Sequence, residues 1–223
     1  MHFIHSFSKN HIGISIWLLV LTMMSFLMII IGGLTRLTES GLSIVDWQPI
    51  MGIIPPLTDL AWLDLFNKYK TTPEFQIVNK LMSIEEFQYI FWWEWFHRFF
   101  ARLIGFVLIL PFLYFWLNNK ISKKLFLILI LVFIFGLFQA LVGWWMVKSG
   151  LTDNPYVSAY RLTFHLCNAL IIFSILFWTF LSSFFGKNIN NNVNNIIKNF
   201  FYIGFFFIFI TIISGGFMAG TDS

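Results

Sequence analysis

Charge is what this chain has least of. Only 11% of its 223 residues are charged, where an average soluble domain carries about 25%. With 58% hydrophobic and 21% aromatic residues beside that scarcity, the composition excludes an ordinary soluble domain and predicts an all-α polytopic membrane protein. Cysteine is nearly absent too. Cys167 is the only one, which rules out an internal disulfide framework and a cysteine-ligated zinc or iron–sulfur centre within the chain. The net charge is +4, but the basic residues are spread through short loops rather than gathered in a patch, so nucleic acid is excluded as a partner.

What the chain does have is long apolar runs. A spanning helix needs about 20 mostly apolar residues, and five stretches qualify: Ile12 to Gly33, Phe96 to Leu117, Leu125 to Val147, Leu162 to Phe185 and Phe200 to Gly220. The first is too long for a signal-peptide core and ends in "IIIGGLTRL" rather than a small-residue cleavage site, so it is read as a retained span. The loops 118–124 and 186–199 hold lysines and no acid. Positive loops face the cytoplasm, which puts the N-terminus with Lys9 inside and the long loop 34–92 on the outer, periplasmic face of the cell inner membrane. Between Leu34 and Glu86 that loop carries seven acids against four bases. Trp92, Trp93, Trp95, Trp144 and Trp145 fall at outer helix ends, as an interfacial aromatic belt would.

The long loop is too rich in turn residues and aromatics to be a bare connector. Its segment 46–58 carries three prolines. "TDLAWLDLFNKYKTTPEF" and "MSIEEFQYIFWW" read as two short amphipathic helices, the second opened by a capping box from Ser83 to Glu86. Together they predict a cover over the outer face, while the Asn-rich inner loop reads as a polar tether. An internal repeat also shows. "IIGGLTRLTES" (30–40) and "ISGGFMAGTDS" (213–223) share five of eleven positions at an offset of 183, with Glu39 answered by Asp222. Residues 1–199 are therefore expected to form one four-helix transmembrane unit, and residues 200–223 the first helix of a second repeat.

Two histidines lie at matching depths. His97 and His165 both stand near the outer starts of helices that run outside to inside, whereas His2, His5 and His11 belong to the inner tail. Ionisable groups in a span cost about 2.5–3.5 kcal/mol each by insertion scales, so they call for partners. A haem iron with two axial imidazoles is one solution; zinc would need further ligands than Glu94 alone. Arg98, Arg102, Arg161 and Arg36 lie near the same helix ends, where haem propionates would accept from them. The competing reading has both histidines hydrogen-bonded inside the bundle and the arginines reaching to lipid headgroups. Glu94, three residues before His97, shares its helix face. It is placed to take a proton at the rim of a macrocycle, to orient an imidazole, or to sit at the lipid interface.

"GGLTRLTESGLSIVDWQPIMGIIPPL", "FWWEWFHRFFARLIGF", "QALVGWWMVKSGL" and "YRLTFHL" together resemble haem A synthase of the mitochondrial and alphaproteobacterial type, from about residue 14 to the last. The resemblance implies eight membrane helices in two four-helix units, each with a histidine pair. It implies oxidation of the C8 methyl of haem O to a formyl group by two successive hydroxylations, giving haem A for cytochrome oxidase. It makes His97 and His165 the axial ligands of the substrate haem and Glu94 the catalytic carboxylate, with haem b in a second half that this sequence does not contain. A fragment, a split gene and a decayed copy are all compatible with that, and weak activity is expected of the chain alone. The partners implied are haem O, the haem O synthase that makes it, an electron acceptor, membrane lipid and a further copy of the chain. The alternative from another class is a non-catalytic bis-histidine haem-binding or electron-transfer cytochrome. A transporter, which would want polar groups at mid-membrane, ranks below both.

Overall fold

The structure is a computed structural model that describes residues 12–47, 51–152, 154–185 and 194–221. His2, His5, Lys9, His11, Lys187, most of the Asn-rich loop and the Asp222 end of the repeat lie outside the described residues. Seven α-helices and one short 3-10 turn are described. Five of the helices are long and apolar enough to cross a membrane: α1 (Ile12–Leu37), α4 (Ile84–Leu117), α5 (Lys123–Lys148), α6 (Ala159–Phe185) and α7 (Asn195–Thr221). Two short helices, α2 (Asp59–Tyr69) and α3 (Pro73–Ile77), occupy the long loop. The expected all-α polytopic membrane architecture with five spans is found.

Two expectations about the loop need correction. The sequence predicts one short helix through "TDLAWLDLFNKYKTTPEF", but the chain breaks between Lys70 and Thr72 and restarts. Pro73 has no N–H to donate and suits only a first helical turn, and Thr72 caps that turn by accepting from Phe75 N–H. The sequence also separates a short helix at 82–93 from the second span, whereas α4 runs unbroken from Ile84 for 34 residues. No glycine or proline lies between Ser83 and Phe96 to stop it. The capping box is present as expected, with Ser83 and Glu86 each accepting from the other's backbone N–H. At 1.5 Å per residue α4 is about 51 Å long, well beyond a hydrocarbon core of about 30 Å, so its first turns project from the bundle. They form the spine of a lobe whose core is Phe66, Tyr69, Phe87, Ile90 and Phe91.

Within the bundle α6 is central, packed against α1, α5 and α7, while α4 packs on α1. The apolar core is made by Ile14, Trp17, Leu18 and Leu21 of α1 with Leu108, Leu125, Leu129, Val132 and Leu176 from the other three helices. Polar ties are few: Trp17 Nε1 donates to the Val107 carbonyl at 2.7 Å, and Ser15 meets Ser183 at 2.9 Å. α7 docks through small residues. A Cβ on Gly220 would fall 2.4 Å from Ala159 Cα, and one on Gly216 would fall 2.9 Å from Thr163 Oγ1, the close approach that small residues four apart permit between membrane helices. Arg36 Nε donates to the Ala219 carbonyl at 2.7 Å across 183 residues. That separation equals the offset of the repeat, so the bond joins equivalent positions of its two copies.

Candidate functional site

The lobe is fastened to the bundle at Glu94. α1 ends in a turn in which Glu39 adopts a φ of 51°, and the chain then folds back across α4. Glu94, 3% exposed, accepts on Oε2 from Ser43 Oγ at 2.7 Å and from Ile44 N–H at 2.8 Å. Arg98, one turn on, donates to Glu94 Oε1 at 2.5 Å and to the Ile44 carbonyl at 3.1 Å. A carboxylate has about four lone-pair directions, and these bonds use three. The free one belongs to Oε1.

One further turn along α4 from Glu94 comes His97. His97 and His165 are half-buried, and the Nδ1 atom of each is fully buried without a hydrogen-bond partner. His97 lies within electrostatic reach of His165. Glycines make the room. A Cβ on Gly32 of α1 would come 3.3 Å from His97 Cε1, and one on Gly143 of α5 would come 3.0 Å from His165 Cε1. Among the described residues no three His, Cys, Asp or Glu side chains gather as a metal site. A flat macrocycle whose iron takes one imidazole on each face suits this donor set: two neutral nitrogen ligands, no thiolate and orphaned ring nitrogens.

The arginines are more committed than their sequence positions suggest. Arg161 donates from Nη1 to the Trp145 carbonyl at 2.7 Å and stacks over the Trp145 ring at 4.4 Å. Arg36 holds Ala219, and Arg98 holds Glu94 and Ile44. Arg102 sits a turn beyond Arg98, within reach of its charge. A guanidinium has five N–H donors, so the bonds of Arg98 and Arg161 leave donors over for a ligand carboxylate.

Sequence reasoning missed several residues. Gln139 and Asn168 are polar side chains inside apolar spans, a signal that was available. They link α5 to His165, with Asn168 donating to Gln139 at 2.6 Å and Gln139 Nε2 lying 3.2 Å from His165 Nε2. Glu74 of the lobe is the other. It is buried, accepts from Tyr69 Oη at 2.9 Å, and Tyr69 Oη in turn accepts from Asn79 at 2.8 Å. Burial raises the Glu74 carboxyl to about 7; the Tyr69 bond opposes that, and the charges of Glu94 and Glu39 add to it. The Tyr69 hydroxyl is itself pushed up, first by burial and then by Glu74.

Residues 15–223 match the COX15-CtaA family, described as cytochrome oxidase assembly protein. Among curated proteins, the chain is similar to the heme A synthase of Nitrosomonas eutropha, with 46% identity over 217 residues that cover 96% of this chain and 61% of that protein. It is also similar to the heme A synthase of Maricaulis maris, 44% identical over 219 residues covering 98% of this chain and 63% of that one. A third, the heme A synthase of Nitrosospira multiformis, is 51% identical over 169 residues covering 76% and 48%. The chain thus spans about half to three-fifths of the length of these relatives. No solved structure matches it.

Proposed function

Because the chain belongs to the COX15-CtaA family of cytochrome oxidase assembly proteins, we propose that it is the haem O-binding unit of a haem A synthase. In this reading the lobe faces the periplasm and the N-terminus the cytoplasm. α1, α4, α5 and α6 make one haem-binding unit within residues 1–199, and α7 in residues 200–223 opens a second. His97 and His165 take the iron of the substrate haem O from opposite faces. Arg98, Arg102, Arg161 and Arg36 meet its propionates near the lobe end. The reaction carries the C8 methyl to a formyl group through two hydroxylations, passing electrons to an acceptor. A haem O synthase supplies the substrate, and a haem b belongs to the second unit.

The protein's own part is to hold, orient and shield. Apolar walls keep water from the ring, and the folded lobe closes the end of the bundle above it. Glu94 lies one helical turn from His97 with one Oε1 lone pair unused. It is positioned to accept a proton at the macrocycle rim, or to stabilise positive charge developing on the oxidised carbon. Its bonds to Ser43, Ile44 and Arg98 fix the direction in which that lone pair points.

The observation that carries this reading is the pair of imidazoles, each with a buried Nδ1 that has no partner and each packed on a glycine that a Cβ would fill. The test is pigment analysis. The purified chain should show a Soret band with low-spin ferric signals, lost when both His97 and His165 become alanine. Co-expressed with a source of haem O, it should yield haem A, and Glu94→Gln should keep the pigment while losing that product. A chain without Soret absorbance, or one whose absorbance survives the double substitution, sinks the assignment.

A further inference from the structure

Gln139 on α5 and Asn168 on α6 have no role in the reading above, yet they meet at one of its ligands. Asn168, 4% exposed, donates from Nδ2 to Gln139 Oε1 at 2.6 Å and to the Phe135 carbonyl at 3.3 Å. Gln139 Nε2 lies 3.1 Å from the His165 carbonyl and 3.2 Å from His165 Nε2. Backbone carbonyls only accept. Phe135 O therefore demands the NH2 side of Asn168, and His165 O demands the NH2 side of Gln139. With both amides so turned, the nitrogen facing His165 Nε2 is a donor, and the ring nitrogen must be its acceptor. The ring proton then belongs to Nδ1, which is buried without a partner.

A neutral imidazole with its lone pair on Nε2 is the form that ligates a metal through that nitrogen. Here the lone pair already has a hydrogen bond, and the glycine one turn past Gln139 lets the ring sit against α5. We propose that Gln139, aligned by Asn168, is a displaceable cap on His165 Nε2: it holds the ligating tautomer ready before the porphyrin arrives and takes the lone pair back when the porphyrin leaves. This rests on the haem-binding reading and adds to it how a ligand histidine can let its haem go. The exchange balances. The Gln139 N–H···Nε2 hydrogen bond breaks, the Nε2–iron bond forms with the same electron pair, and no proton moves. Gln139 keeps its bond to the His165 carbonyl, so the amide stays beside the ring. A cofactor bound for good has no use for such a competitor; a haem that arrives as substrate and departs as product does. No such amide reaches His97 among the described residues, which places the exchangeable ligand on α6.

The experiment uses the full chain loaded with ferric haem. Release is followed as transfer to excess apomyoglobin, and axial ligation by electron paramagnetic resonance. Gln139→Leu removes the competitor and should keep the low-spin bis-imidazole signal while slowing release about fivefold, the effect of one hydrogen bond of ordinary strength. Gln139→Met, close in volume and unbranched, carries the same expectation if the leucine variant fails to fold. Asn168→Leu frees the Gln139 amide to turn over and should slow release by less. Unchanged or faster release from the Gln139 variants, or loss of the low-spin signal, overturns the cap and leaves Gln139 a clamp between helices. If the unsubstituted chain binds no haem, the haem-binding reading itself fails, and the two outcomes are told apart by that control.

Discussion

The core shared by α1, α4, α5 and α6 away from the lobe is filled by Ile14, Trp17, Leu18, Leu21, Leu125, Leu129 and Leu176, without an ionisable group. The lobe end of the same bundle buries Glu94 and the Nδ1 atoms of His97 and His165, and the lobe above it buries Glu74 beside Tyr69. One part gains its stability from packing that tolerates modest error. The other holds polar groups that must each be matched, because an unmatched one in a low-dielectric site costs more than a matched one contributes. The difference teaches where the chemistry sits: a protein with few charges has put nearly all its buried ones at one end.

The comparison breaks most visibly at Glu94. Glu94→Ala strands the Arg98 guanidinium and leaves Ser43 Oγ and Ile44 N–H without their acceptor. Removing one partner of a buried ion pair costs about 3–5 kcal/mol. The expected result is a lower melting temperature, with faster hydrogen exchange at the Ile44 amide than at α5. Equal protection in both proteins would show that the lobe does not depend on this anchor.

Next comes pH. The Glu74 carboxyl rises from its ordinary 4.5 to about 7 on burial. The neutral form is therefore the one the folded lobe favours. Its stabilising contribution is complete below about 4.5 and is lost as pH rises through about 7, a change on the order of 3 kcal/mol at about 1.36 kcal/mol per unit. Proteolysis of the 60–80 segment should accelerate over that interval in the native protein. In Glu74→Gln it should stay flat, and a profile identical to the native one would refute the assignment.

A test on the other side sharpens the contrast. Leu129→Ala opens a cavity in the apolar core, where Leu129 is 2% exposed, and should cost about 2 kcal/mol. Thermal unfolding in detergent would measure it. Exchange at Ile44 should not change, since the two cores share no contact at that residue. The smallest effect is expected at Lys68, which bridges Asp46 and Asp64 at 3.1 Å each on the open surface of the lobe. Lys68→Ala should leave melting temperature unchanged within error, because exposed pairs gain little over their hydration.

How much of this was legible beforehand follows from the range of the interactions. Span number and the Ser83–Glu86 capping box depend on local hydropathy and local caps, all written in consecutive residues. The break at Thr72 was missed, although Pro73 announces a helix start. The continuity of α4 through Phe96 was missed because a change from amphipathic to apolar composition looks like a boundary, although the backbone has no reason to stop there. The engagement of Arg98 and Arg161 with carbonyls could not be read at all. A guanidinium near a helix end points to an anion in sequence terms, but which acceptor reaches it first depends on chain segments 16 to 54 residues away.

By itself, then, the sequence determined an all-helical membrane protein with five spans and a structured loop, because hydrophobic length and helix periodicity are local properties. Only the tertiary structure decided that Ser43 and Ile44 would lock Glu94, that Gly32 and Gly143 would seat the two imidazoles, and that Gln139 would meet His165. Those outcomes depend on how helices remote in sequence press together, and close packing fixes that only when the whole bundle is assembled.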